Sequence, residues 1–173
     1  MPKTQEEAEK QMMKRVAVND PVAIRDMGIM HFEIEEYDAA FDYYRRAAEL
    51  GDADAQYNLS IMYRKGLGVE KDEKKELYHL EVAAIAGHPD ARHNLACYEW
   101  NNNKNVERAV KHLIIAANLG LDRSINVLKE FYKEEYVSKE DFASALRGHH
   151  AAVNSMKSPQ REAAERANFH THA

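Results

Sequence analysis

Residues 47–72 read AAELGDADAQYNLSIMYRKGLGVEKD, a stretch with a glycine after paired alanines and then Gly66-Leu67-Gly68. A Gly-x-Gly turn either cradles a phosphate, which points to an enzyme, or turns the chain between two helices. The first half of the stretch decides between them, because it recurs. Ala83-Ala84-Ile85-Ala86-Gly87 and Ala116-Ala117-Asn118-Leu119-Gly120 repeat the pattern of Ala47-Ala48-Glu49-Leu50-Gly51, and Val16-Ala17-Val18-Asn19 is a fourth copy with Asn for Gly. The closing residues fall at 19, 51, 87 and 120, in steps of 32, 36 and 33, and a period of that size marks a repeat architecture.

Gly, or less often Asn, just past a helical run caps it in the left-handed conformation, so each mark predicts a helix end. After each mark comes a small residue four before a large apolar one: Ala23 and Met27, Ala55 and Leu59, Ala91 and Leu95, Ser124 and Leu128. That spacing stays on one helical face and lets a neighbouring helix approach closely. Asp20-Pro21 and His88-Pro89 put proline where the first helical residue belongs, the one place a helix accepts it without losing a hydrogen bond. The other helix of each unit carries Ala40, Tyr44 and Ala47, then Ala109, Leu113 and Ala116; between them Glu76 replaces the first alanine ahead of Leu80 and Ala83. The unit is a helical hairpin, and its two apolar faces are both buried only when copies stack.

The predicted fold is all-α: a right-handed α-α superhelical solenoid of helical hairpin repeats, forming a single domain over 1–173. It has a capping helix at 4–19, repeats at about 20–51, 52–87, 88–120 and 121–156, and a polar C-terminal helix and tail at 158–173. Thr4-Gln5-Glu6-Glu7, Ser138-Lys139-Glu140-Asp141 and Ser158-Pro159 read as helix starts, and Asn168 to Ala173 as a frayed end.

Composition agrees with a helical globular chain: 45% hydrophobic and 31% charged residues, with only 7 Gly and 4 Pro in 173. The formal charge of −5 gives no positive field for phosphate backbones, so no nucleic-acid partner is expected. No apolar run approaches the ~20 residues that cross a bilayer, and MPKTQEEAEK lacks a signal-peptide segment. The expectation is a soluble intracellular protein, cytoplasmic or nuclear, with no membrane partner. Cys97, the single cysteine, has no internal disulfide partner, which fits a reducing compartment.

The pattern Ala55-x-x-x-Leu59-x-x-x-Tyr63-x-x-Gly66-x-Gly68-Val69-x-x-Asp72-x-x-Lys75, followed by Ala83-Ala84-x-x-Gly87, closely resembles the Sel1-like repeat, a relative of the tetratricopeptide repeat. Departures are Ser60 where the family usually has Gly, and Glu76 where it has Ala. The first and third copies lack the Gly-x-Gly-Val loop, as at Asn101-Asn102-Asn103, and the fourth keeps only Leu128, Tyr132 and Ala145. The resemblance implies that Gly66 to Asp72 is the loop between a repeat's helices, with Asp72 capping the next one. A phosphate loop would need a preceding strand and a Gly-Lys-Ser/Thr ending. The family's members mostly act as adaptors between other proteins, so the resemblance implies a non-enzymatic scaffold with no cofactor.

In such a stack the first helices line the concave side. A stripe at i, i+4, i+7 away from the Ala-x-x-x-Leu face runs Arg25, Ile29, Phe32; Tyr57, Ile61, Arg64; His93, Cys97, Trp100; and Asn126, Glu130, Lys133. Aromatic and Arg residues away from the core have the composition of binding hot spots. Arg25, Phe32, Tyr57, Ile61, Arg64, His93 and Trp100 are therefore the candidate contacts for a partner's peptide or helix, with Arg25 and Arg64 supplying orientation by charge. Ile29, Ile61 and Cys97 read equally as core between first helices. Two competing readings are a self-associating subunit, a weak homo-oligomer, and a small metal or thiol protein centred on His93 and Cys97 at i, i+4. His149-His150 and His170-Thr171-His172 read as solvated surface, and Tyr43, Tyr44, Tyr63 and Tyr132 as core.

Overall fold

A computed structural model describes residues 5–169, and among them it has helices and no strand. In chain order these are α1 (Gln5–Ala17), α2 (Pro21–Glu33), α3 (Tyr37–Glu49), α4 (Ala53–Lys65), α5 (Glu73–Ile85), α6 (Pro89–Asn101), α7 (Val106–Asn118), α8 (Asp122–Lys133) and α9 (Lys139–Phe169). Helices pair as hairpins, α2 with α3, α4 with α5 and α8 with α9, while α1 packs on α2 as the half-hairpin expected at the front.

The helix ends follow from the marks. Gly51, Gly87 and Gly120 all sit at φ +90° and Asn19 at φ 58°, the left-handed cap in each case. The starts are capped by side chains. Asp20 Oδ1 accepts from the Val22 and Ala23 amides, Asp52 Oδ1 from Ala55 at 2.7 Å, Asp72 from Lys75 and Asn105 from Arg108. Before α6 the cap is an imidazole: His88 Nδ1 accepts the Ala91 amide at 3.2 Å. Pro21 and Pro89 are first residues of their helices, as predicted.

The Gly66-x-Gly68 turn is architecture. Gly66 (φ +71°) closes α4, and a Cβ on Gly68 would lie 2.5 Å from the Tyr37 carbonyl oxygen. Only a residue without a side chain lets this loop sit against the start of α3, where Leu67 and Val69 pack on the core of the preceding hairpin. The first, third and fourth hairpins turn instead through Glu35, Lys104 and Glu135, each at positive φ without being glycine.

The chain forms two compact units that divide between Ala91 and Arg92, after the first turn of α6. The first is centred on Ala23, Ile24, Tyr44, Leu59 and Met62. Tyr44 lies flat on Gly28, where a Cβ would meet its ring at 2.6 Å, and burial pushes its hydroxyl pKa up to about 12. The second is centred on Ala96, Leu113, Ala117, Leu128 and Ala145. Fully buried leucines such as Leu59, Leu113 and Leu128 each contribute ~1.5–3 kcal/mol.

Three expectations are corrected. A single helix, α9, runs through Ser158-Pro159, so no new helix starts there; an interior proline removes one amide donor, and a long helix can carry that loss. Tyr132 is exposed rather than core, stacked on Phe142 at 5.0 Å. His149 is buried instead of solvated, its Nε2 2.8 Å from Asp122 Oδ1, whereas His150 is exposed. Ser60, in place of the family's glycine, is buried and returns its hydroxyl to the Tyr57 carbonyl at 2.6 Å, so the substitution leaves no unsatisfied donor. Thr4 and residues 170–173, with His170 and His172, lie outside the described residues.

Candidate partner-binding surface

The first position of the predicted stripe is occupied within the molecule. Arg25, Tyr57 and His93 are equivalent residues of successive first helices, and each reaches the start of the next one. The Arg25 guanidinium donates to Asp52 at 3.2 Å and Asp54 at 2.6 Å, and also to Asp26. The Tyr57 ring stacks on His88 at 4.3 Å, and His88 Nε2 lies 3.4 Å from Asp54. His93 Nδ1 lies 2.9 Å from the Ser124 hydroxyl. Together these contacts bind one hairpin to the next with charge-assisted bonds and ring stacking. His93, expected to face a partner, is only 9% exposed; it is a link, and burial at the interface of α6 and α8 is the reason.

Phe32 and Trp100 are also drawn inward. Phe32 packs edge-on against Tyr37 at 5.3 Å and joins the first core. Trp100 forms a cluster with Phe131 at 4.8 Å and Tyr136 at 5.3 Å, which leaves it half-buried in the second unit. No sequence period links Trp100 to Phe131 and Tyr136, since the three come from α6, α8 and the turn after α8.

In the first unit the open part of the stripe is Ile29, Ile61 and Arg64. Ile29 is 37% exposed, Ile61 half-buried and Arg64 exposed beside Lys65. Glu76 of α5, at the family's alanine position, stands within the field of Arg64, and burial holds its carboxyl above the usual range despite that cation. The surface is a small apolar centre with positive charge at the C-terminal end of α4. In the second unit the equivalent of Ile29 and Ile61 is Cys97, which is exposed.

Desolvation pushes the Cys97 thiol up, only partly countered by Arg123, so the sulfur is kept protonated rather than activated. His93 is bonded to Ser124, and among the described residues no three or more His, Cys, Asp or Glu side chains converge as metal ligands. Two open clefts lie at the loop end of the first unit, one of about 380 Å³ over Phe41, Tyr63 and Val69, one of about 450 Å³ beside Glu35, Tyr37 and Gly68. The first also holds the Lys75–Asp72 ion pair at 3.8 Å, with the Lys75 ammonium over the Tyr63 ring. No helix among the described residues is long and apolar enough to cross a membrane.

Comparison with known proteins gives the same fold. The chain resembles the crystal structure of a Sel1 repeat protein from Oxalobacter formigenes with a TM-score of 0.71 and 27% identity, over 86% of this chain and 63% of that one. It also shares the fold of a protective antigen of uropathogenic Escherichia coli displaying an SLR fold, with a TM-score of 0.65, 22% identity, and coverage of 89% of this chain and 34% of the other. An F-box protein of Arabidopsis thaliana is 40% identical over 76 residues, 43% of this chain but 21% of that protein. The chain thus spans about a fifth of that relative's length and under two thirds of either solved chain. The fold class is the all-α solenoid of helical hairpin repeats, whose general use is protein–protein interaction. The Sel1 repeat family model matches residues 21–52, 53–88 and 89–121, more than half of the sequence and in the steps read from the glycine marks, and the chain belongs to the Sel1 repeat family.

Proposed function

We propose that the chain is a non-enzymatic, intracellular adaptor that docks a peptide or a helix of a protein partner on the first-helix face of α2 and α4. The observation that carries this reading is that Ile29 and Ile61, equivalent residues of α2 and α4, are left open to solvent while Arg25 and Tyr57 on the same stripe are tied to the start of the next first helix. Association costs least where the binding face is already ordered. A partner segment with an apolar residue over Ile61 and an acidic one near Arg64 and Lys65 fits the charge of this face, and no cofactor takes part. In the second unit Cys97 and the open edge of Trp100 offer a separate contact of the same kind.

The test is an Ile29→Glu, Ile61→Glu double variant, shown by circular dichroism to keep its helix content. Capture by cross-linking from native extract is compared with the wild type. Specific partners that vanish with the variant support the reading. Partners that persist place binding elsewhere.

A further inference from the structure

The repeats serve as controls for one another on the opposite, second-helix side. Counting back from the cap glycines Gly51, Gly87 and Gly120, the stripe of α3 is Asp38, Asp42, Arg45 and Glu49, and that of α7 is Glu107, Lys111, Ile114 and Asn118, with Ile114 half-buried against the second core. Arg45 pairs with Asp42 and Glu49, and Lys111 with Glu107, so the cation of each stripe is held within its own helix. The same positions of α5 are Lys74, Tyr78, Glu81 and Ile85. Tyr78 is 60% and Ile85 79% exposed, against charged or amide residues at the equivalent sites, and neither Lys74 nor Glu81 forms an ion pair with another described residue.

We propose that this α5 face is a self-association surface, on which a second copy of the chain docks through its own α5, antiparallel about a two-fold axis near Tyr78. The argument is self-complementarity. Lys74 lies one turn before Tyr78 and Glu81 one turn after it. An antiparallel two-fold pairing therefore sets the Lys74 turn of each copy against the Glu81 turn of the other, two opposite-charge contacts from one stripe. Tyr78 meets its symmetry mate at the centre, and each Ile85, at the C-terminal end of α5, comes to the N-terminal end of the facing α5. A parallel arrangement would oppose like charges. A single helix-on-helix contact buries less than the ~1,200 Å² of stable complexes, so the dimer is weak and forms with concentration. Because α5 is a second helix, both copies keep their α2 and α4 face open, which makes the dimer a bivalent adaptor.

Sedimentation velocity from about 1 µM to about 1 mM spans the range in which such a contact saturates. The wild type is expected to shift reversibly from monomer to dimer. Lys74→Glu and Glu81→Lys should each weaken self-association at least about fivefold, since each places like charges in contact twice. An equimolar mixture of the two variants should recover wild-type association, because every contact is again of opposite sign. Tyr78→Ser, with wild-type circular dichroism, should remain monomeric. A wild type that stays monomeric over this range overturns the proposal and leaves the face to a different protein. Single charge variants that associate as tightly as the wild type, or a mixture that fails to recover, overturn it as well.

Discussion

Replacing Gly68 by alanine should destabilise the first unit far more than the same change at Gly51. Both glycines have positive φ, +66° and +90°, so each alanine carries the left-handed penalty of about 1–2 kcal/mol. At Gly51 nothing lies within 4 Å of the new Cβ. At Gly68 the Cβ would stand 2.5 Å from the Tyr37 carbonyl oxygen, 2.6 Å from its carbon and 3.0 Å from the Asp38 amide. These are backbone atoms at the start of α3, which cannot rotate away as a side chain would. Relief means lifting the loop from the hairpin, an overpacking cost of about 1–3 kcal/mol on top of the first. The expected totals are about 2–5 kcal/mol for Gly68→Ala against about 1–2 kcal/mol for Gly51→Ala. Urea denaturation followed by circular dichroism, with amide hydrogen exchange in α3 as a local readout, measures both. Equal losses for the two variants would refute the docking of this loop as the reason for its second glycine.

Three further outcomes follow from particular contacts. Arg25→Leu removes the cation shared by Asp52 and Asp54 while Asp52 keeps its cap bond to Ala55, so a loss of about 1–3 kcal/mol is expected in urea titration; a change within error would mean that Arg25 is not a link. Glu35→Gly relieves a left-handed non-glycine residue at φ 63° and should raise the unfolding free energy, by at most about 1 kcal/mol because glycine also loses more entropy on folding; a lower urea midpoint would contradict this. Burial first, then Arg92 and Arg108, hold His112 below its ordinary 6.5, with Glu99 offsetting part, and burial and Lys75 act on His79 in the same direction. The unfolded chain then takes up these protons first, so stability is complete above pH ~6.5 and falls as pH drops toward the folded values. Gln at both positions should flatten the difference in urea midpoint between pH of about 7.5 and about 5.5, and an unchanged slope would exclude these imidazoles as its source.

The repeat was legible because it rests on local chemistry. A cap glycine is tied to its own helix end, and Gly51, Gly87 and Gly120 share one φ for that reason. Pro21 and Pro89 likewise announce first turns from sequence alone. What escaped was the destination of side chains that bridge hairpins. Sequence spacing makes Arg25, Tyr57 and His93 partner contacts, but whether such a residue meets a partner or the next helix depends on a contact about one repeat away. A signal did exist: Asp52, His88 and Ser124 recur at or near the start of the following first helix, a polar residue waiting for each reaching side chain. The Glu76 departure and the α5 stripe were visible as composition, yet their meaning came only from exposure compared across repeats. Ser158-Pro159 misled because proline at a helix start and proline tolerated inside a long helix look alike in sequence.

The docking face is tested most directly by photo-cross-linking from defined positions. A benzophenone amino acid is placed at Ile61 on the first-helix face or at Glu107 on the ion-paired face of α7. Cross-linked species are then identified from native extract by mass spectrometry. A discrete adduct is expected from position 61, mapping to one short segment of a partner with apolar and acidic residues, and none of it from position 107. The same adduct from both positions, or adducts from 107 alone, would contradict a docking face on α2 and α4.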